Sequence, residues 1–260
     1  MVFLFRKQIR DQVQRMFLGF AAGVMIAASI WSLLIPAIEQ ASQAGTVGWI
    51  PAAGGFLLGG CLLMALDGLL ESVMPRLLQP GGAGSVQKST LLLVLAVTLH
   101  NIPEGMAVGL SFAMAAAVGK EGMFSAAVAL AIGIGIQNFP EGAAVSLPLR
   151  QSGCSSFRAF VYGGLSGVVE PLFGVLVVLA AGFIRPLMPW MLSFAAGAMM
   201  YVVIEELIPE VHQSGQEDGR ILEPGRNRGR AIRYFVIQHA GMFSVFGGFL
   251  LMMILDVALG

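Results

Sequence analysis

Long apolar stretches follow one another along the chain and are separated by short polar segments. A helix needs about 20 apolar residues to cross the hydrocarbon core of a bilayer. Seven stretches meet this length, at residues 16–39, 47–70, 91–118, 123–149, 159–184, 187–210 and 235–259. The pattern predicts an all-α, polytopic transmembrane helix bundle that forms a single domain over residues 1–260. The one substantial polar segment, 211–234, is predicted to be a loop.

Composition supports a membrane protein, since 57% of the residues are hydrophobic and only 12% are charged. The 34 glycines are the small residues that let membrane helices approach closely. A formal net charge of zero gives no indication of a nucleic-acid partner. Cys61 and Cys154 match no metal-ligand spacing, and we interpret them as inert thiols.

Lysine and arginine residues predict the orientation of the spans. Thirteen of the fifteen fall on one side of the predicted membrane, and only Lys120 and Arg185 fall on the other. The positive-inside rule therefore places the N-terminus and loop 211–234 in the cytoplasm and the C-terminus outside. The thirteen are Arg6, Lys7, Arg10, Arg15, Arg76, Lys88, Arg150, Arg158, Arg220, Arg226, Arg228, Arg230 and Arg233.

Two short sequences recur in spans that run in opposite directions. The segment Ala-Ala-Gly-Val-Met at 21–25 in span one returns as Ala-Ala-Gly-Ala-Met at 195–199 in span six. Gly-Gly-Phe-Leu-Leu at 54–58 in span two returns at 247–251 in span seven. Together the pairs indicate an inverted repeat, in which a substrate site is expected near the midplane.

Two copies of one polar motif lie in spans three and four. The first reads His100-Asn101-Ile-Pro-Glu104-Gly, and the second reads Gln137-Asn138-Phe-Pro-Glu141-Gly. In each copy the first residue and the glutamate are one helical turn apart on one face, with the asparagine beside the glutamate. Pro103 and Pro140 cannot donate to the carbonyl four residues earlier, which predicts kinks and free oxygens suited to a polar pathway.

Depth estimates place these groups, together with Glu170 before Pro171 in span five, at one level of the membrane. With a rise of about 1.5 Å per residue, Glu104, Glu141, Glu170 and His100 lie roughly 12–20 Å from the cytoplasmic helix ends. An unpaired carboxylate there costs at least about 2.5–3.5 kcal/mol, whereas a bound divalent cation removes that cost. Polar bonds that merely hold the bundle together are the alternative for any single amide.

The types of donor atom limit the range of ions that the site can bind, and two further carboxylates indicate where an ion leaves. One imidazole with carboxylate and amide oxygens suits zinc, iron or manganese, and the lack of thiolates disfavours copper(I). Glu205 and Glu206 are expected near the cytoplasmic end of span six, as an exit relay for metal or as interfacial carboxylates. We interpret Asp67 and Asp256 as helix-end anchors, and His212 and His239 as unrelated to metal.

The two motifs, Glu170-Pro171 and the Glu206-x-x-Pro-Glu ending resemble the ZIP family of zinc and iron transporters, specifically its bacterial GufA-like branch. The resemblance implies a helical bundle that forms a homodimer in the bacterial inner membrane and moves zinc, iron, manganese or cadmium into the cytoplasm without a cofactor.

Residue by residue, the resemblance implies a binuclear metal site. One ion would be held by His100, Glu104, Gln137 and Glu141, with Met25 as a further ligand. The second would be held by Asn101, Glu104, Asn138, Glu141 and Glu170. Glu205 and Glu206 match a cytoplasmic-side metal position of the family.

The family has eight spans with both ends outside, whereas seven are visible here. The opening Met-Val-Phe-Leu-Phe-Arg resembles the last turn of a first helix. We therefore expect either that the start codon lies upstream or that the protein lacks that helix, which would alter a repeat while leaving the ligands present.

Two other functions are compatible with buried carboxylates. A passive cation channel or a proton-coupled carrier of another substrate would use the same groups. An intramembrane metalloprotease would need a His-Glu-x-x-His arrangement, but no second histidine accompanies His100 within its span. We therefore expect a transporter and not an enzyme.

Overall fold

The computed structural model describes residues 11–77, 85–119, 121–151, 153–213 and 239–259. Within these ranges, seven helical segments are long and apolar enough to cross a membrane, as the sequence predicts. No strand occurs in the described part of the chain. Spans two, three, four and seven are the uninterrupted α-helices Trp49–Leu77, Ser85–Val118, Glu121–Gln151 and Ala240–Leu259.

The other three spans are interrupted. Span one consists of α-helix Asp11–Ala28, π-helix Ser29–Leu34 and α-helix Ile35–Gln43. Span five consists of Ser156–Gly167 and Val169–Ile184, and a 3₁₀ turn, Arg185–Leu187, connects it to span six. Span six consists of α-helix Met188–Val202, π-helix Val203–Leu207 and α-helix Ile208–Gln213.

The helices extend beyond several of the predicted spans. Span two continues to Leu77 instead of ending at residue 70, and span three begins at Ser85 instead of residue 91. Span six continues to Gln213, across the predicted start of the loop. Polar residues extend these helices beyond their apolar stretches, because a helix that leaves the bilayer keeps its backbone hydrogen bonds in water. The remainder of the predicted loop, the basic residues before Asp11, and Lys120 lie outside the described residues.

The π-helical segments occur at matching places in the two recurring sequences. Each begins eight residues after the first alanine of its repeat, at Ser29 after Ala21 and at Val203 after Ala195. Each also ends just before a proline, whose ring would clash with the carbonyl four residues earlier in a regular α-helix. A π-helical turn is wider and separates the proline ring from that carbonyl. The proline that follows each repeat therefore accounts for the π-helical segment before it.

The same repeats supply the tightest helix contacts. A Cβ atom on Gly23 would collide with the carbonyl oxygen of Val245 in span seven, and one on Gly197 would collide with that of Phe56 in span two. Span one therefore packs backbone to backbone on span seven, as span six does on span two. Within an 18-residue apolar stretch of each span, the share that is buried inside the protein is 67% for span one, 61% for span three and 56% for span six. The share for span five is 11%, so this span faces outward.

Candidate metal-binding site

Glu170 is held against span three by a break in span five. The helix is interrupted at Val168, and the second half starts at Val169, so Glu170 lies in its first turn. A Cβ atom on Gly105 would collide with the backbone of Glu170, which means that only glycine permits this approach. The glycine that ends the first motif is therefore a packing residue that brings the Glu170 carboxylate to the level of the motif.

The break also leaves a backbone carbonyl that the first motif uses. Asn101 donates its Nδ2 to the carbonyl oxygen of Ser166 at 2.9 Å. In the second motif, Asn138 donates its Nδ2 to Oε2 of Glu170, and Gln137 donates its Nε2 to Oε1 of Glu141 at 3.4 Å. Each of these amide groups therefore donates a hydrogen bond to the protein through its nitrogen.

The opposite ends of the same amides are oxygen atoms without a hydrogen-bond partner among the described residues. These atoms are Oδ1 of Asn101, Oε1 of Gln137 and Oδ1 of Asn138, and Oε2 of Glu104 shares this property. A buried acceptor without a partner costs about 1–3 kcal/mol. Amide oxygens and ionised carboxylates are acceptors only, so while Glu104 is ionised these four atoms cannot satisfy one another. A cation is the partner that suits all of them.

Three carboxylates share this region. Glu104 is 1% exposed, lies beside Gln137, and is close enough to Glu141 and Glu170 for direct Coulomb repulsion. At about 2.5–3.5 kcal/mol or more for each carboxylate inside a membrane, three cost roughly 8–10 kcal/mol. That sum is comparable to the whole free energy of unfolding of a typical domain, about 5–15 kcal/mol. A divalent cation between them offsets both the repulsion and the desolvation.

A second cluster lies about one helical turn from these carboxylates, toward the start of span three. His100 Nδ1 is 3.3 Å from Oε1 of Glu206, and His100 Nε2 is 3.5 Å from Oδ1 of Asp67. One ligand atom from each of the three residues lies within 4.8 Å of the others. Tetrahedral zinc with bonds of about 2.0–2.1 Å places its ligands roughly 3.3 Å apart, which the His100–Glu206 distance matches. Glu141 interacts electrostatically with both His100 and Glu206 and so connects the two clusters.

The structure corrects the interpretation of the two aspartates as helix-end anchors. Asp67 faces His100 across spans two and three. Asp256 is 8% exposed, and the Ser32 hydroxyl, which has one proton to donate to the carboxylate, lies 2.8 Å from both of its oxygens. Sequence reasoning missed both contacts because they join different helices. The signal in the sequence that could have indicated these contacts is a carboxylate within an apolar span.

The remaining predicted residues have different surroundings. Glu206 contacts His100, while Glu205 is exposed, as expected for an interfacial carboxylate. Met25 is fully buried within the apolar core. The structure therefore brings Asn101, Glu104, Gln137, Asn138, Glu141 and Glu170 into one neighbourhood, and the role of these residues in metal binding stays a prediction.

Comparison with known proteins identifies the family. Residues 79–256 match the model of the family described as ZIP Zinc transporter. Zinc transporter ZIP11 of Xenopus tropicalis is 38% identical over 100% of this chain and 92% of its own length. Zinc transporter GufA of Myxococcus xanthus is 39% identical over 82% of this chain and 83% of its own. Zinc transporter ZIPB of Bordetella bronchiseptica is 36% identical over 98% of this chain and 74% of its own. The chain belongs to the ZIP family, and it is a multi-pass membrane transporter of divalent metal ions, not an enzyme.

Proposed function

We propose that the chain carries zinc into the cytoplasm through two successive metal stations. The central station consists of Asn101, Glu104, Gln137, Asn138, Glu141 and Glu170. The inner station consists of Asp67, His100 and Glu206. Zinc is the substrate that the names of the related transporters give. The central station offers carboxylate and amide oxygens, the inner station offers an imidazole and carboxylate oxygens, and zinc accepts ligands of both kinds.

The observation that carries the proposal is the orientation of the buried amides. Asn101, Gln137 and Asn138 each use their nitrogen to bind the protein and leave an oxygen unpaired. Amides that only held the bundle together would have both ends satisfied. An arrangement in which the acceptors converge beside carboxylates is instead typical of a cation site.

The two stations lie in order along one face of span three. Glu104 is four residues beyond His100, which is about one turn and roughly 6 Å along the helix. An ion that leaves Glu104 and Glu141 can therefore reach His100 without crossing apolar surface. From there Glu206 and the exposed Glu205 lead toward the end of span six, where the positively charged face indicates the cytoplasm.

We also propose that the N-terminus is cytoplasmic and the C-terminus outside, in a bacterial inner membrane, and that the chain acts as a homodimer. The first statement rests on the distribution of Lys and Arg. The second rests on the resemblance to the family alone. Cysteine labelling from either side of the membrane tests the first, and cross-linking in the membrane tests the second.

Zinc uptake into liposomes containing the purified protein tests the function. We expect uptake by the wild type and its loss in Glu141→Ala and His100→Ala, because each change removes a ligand of one station. His212→Ala is the matched control for the histidine, since His212 is exposed and its ring contacts only the carbonyl of Ile208 among the contacts described. Equal flux in the wild type and both station variants would refute the assignment.

The same assay separates the two alternatives. A passive channel conducts in either direction with no saturation at low zinc concentrations, whereas a carrier saturates. A proton-coupled carrier acidifies or alkalises the liposome interior as the substrate moves. Three adjacent carboxylates favour a divalent ion as the substrate, because its two charges offset their mutual repulsion.

A further inference from the structure

Tyr201 is a half-buried residue of span six that lies beside the inner station. Its hydroxyl makes hydrogen-bonding contact with the carboxylate of Asp67. Glu205 and Glu206 are close enough to interact electrostatically with the same hydroxyl. Tyr201 is not one of the three residues of the inner station, and no motif in the sequence indicates it. A hydroxyl that meets a metal ligand from outside the coordination sphere can control where that ligand points.

Spans two and six are held side by side by two close backbone contacts. A Cβ atom on Gly55 would collide with the carbonyl oxygen of Trp190, and one on Gly59 would collide with that of Phe194. Both residues of the second pair lie four positions beyond those of the first, so the two spans run in the same direction. The relative height of the two helices is therefore fixed by backbone atoms, which cannot rotate away.

This packing brings Tyr201 and Asp67 to the same height. Asp67 lies eight residues beyond Gly59, and Tyr201 lies seven residues beyond Phe194, which is about 12 Å and about 10 Å along the two helices. Seven or eight residues complete about two helical turns, so both side chains return to the face that carries the glycine contact. Leu63, halfway between Gly59 and Asp67, is buried, as expected for this face. The contact between the two side chains thus follows from the backbone packing.

The distance between Asp67 and His100 suits a shared ion better than a direct hydrogen bond. Asp67 Oδ1 is 3.5 Å from His100 Nε2, and this nitrogen is buried without a hydrogen-bond partner among the described residues. A charge-assisted hydrogen bond would be about 2.7–2.9 Å long, whereas two ligands of tetrahedral zinc lie roughly 3.3 Å apart. A carboxylate that is held back from His100 needs another donor, and the Tyr201 hydroxyl supplies one.

We propose that Tyr201 is a positioning residue of the inner station. Its hydroxyl donates to the Asp67 oxygen that does not face His100, which leaves the other oxygen available to the ion. Without this bond the carboxylate would turn to accept a hydrogen bond from His100, and the two ligands would then occupy each other. The phenol itself stays outside the coordination sphere. The proposal rests on the proposed function, since it assigns a supporting contact to a station of that pathway.

Equilibrium zinc binding to the purified protein tests the role of the hydroxyl separately from transport. Glu104→Gln weakens the central station and serves as the background, and the binding that His100→Ala removes from this background defines the inner station. Loss of a group that orients a metal ligand lowers metal affinity by about tenfold to a hundredfold. Tyr201→Phe keeps the ring and removes only the hydroxyl, so we expect it to weaken zinc binding at the inner station by about tenfold or more.

Tyr162→Phe is the matched control, because Tyr162 lies on the outward-facing span five and is 42% exposed. This variant should bind and transport zinc as the wild type does. In liposomes, Tyr201→Phe should lower the maximal zinc flux and leave KM nearly unchanged, because the central station is intact.

A double variant separates positioning from a general effect on packing. If Tyr201 acts through Asp67, then adding Tyr201→Phe to Asp67→Asn should change zinc affinity by less than about twofold. A general loss of packing would instead lower the affinity by the same factor with and without Asp67→Asn.

The proposal is overturned if Tyr201→Phe binds zinc at the inner station as tightly as the background does, or if it weakens binding equally with and without Asp67→Asn. Failure of the proposed function gives a different result. Neither His100→Ala nor Asp67→Asn would then remove any binding or flux, which would refute the inner station and the role of Tyr201 with it.

Discussion

The close approach of Gly105 to the backbone of Glu170 makes a specific prediction for Gly105→Ala. The added Cβ collides with the carbonyl oxygen and Cα of Glu170, which are backbone atoms and cannot rotate away. Overpacking of this kind costs about 1–3 kcal/mol. Relief requires spans three and five to separate, which moves the Glu170 carboxylate away from Glu104 and Asn138. We therefore expect lower thermal stability in detergent and a loss of zinc flux greater than the loss of folded protein.

Gly135→Ala in span four is the matched control. A Cβ atom at Gly135 meets nothing within 4 Å, and alanine is favoured over glycine in a helix by about 0.5–1 kcal/mol. The two substitutions add the same methyl group but should change the melting temperature in opposite directions. Wild-type flux and an unchanged melting temperature in Gly105→Ala would refute the argument that this contact positions Glu170.

Two further substitutions test contacts between distant parts of the chain. Ser32→Ala removes the hydroxyl that donates to the buried Asp256 carboxylate, so we expect a loss of about 1–3 kcal/mol, seen as a lower melting temperature, whereas Ser32→Thr should retain most of the stability. Equal melting temperatures for Ser32→Ala and the wild type would contradict this. Asp67→Asn weakens the inner station but leaves the central one, so maximal zinc flux should fall with little change in KM, and an unaltered flux would remove Asp67 from the pathway.

The sequence predicted the spans because each is a local property. An apolar stretch long enough to cross the bilayer must satisfy its backbone internally, and a helix does so without any partner. The recurrence of the motif in spans three and four likewise places Gln137 and Glu141 on one helix face from spacing alone, and the structure joins them by a hydrogen bond. The position of the break in span five was harder to predict, because Pro171 indicates a disturbed helix but does not place the break at Val168.

Contacts between spans were decided by the tertiary structure. His100 meets Asp67 and Glu206, and Asn138 meets Glu170, although nothing in the spacing of these residues requires it. The rotation and height of one helix relative to another depend on close contacts such as that between Gly105 and Glu170, where backbone meets backbone. The sequence by itself therefore determined which polar groups enter the membrane and which helix face carries them. Only helix packing decided which of those groups meet, because the register between two spans depends on the surfaces of both.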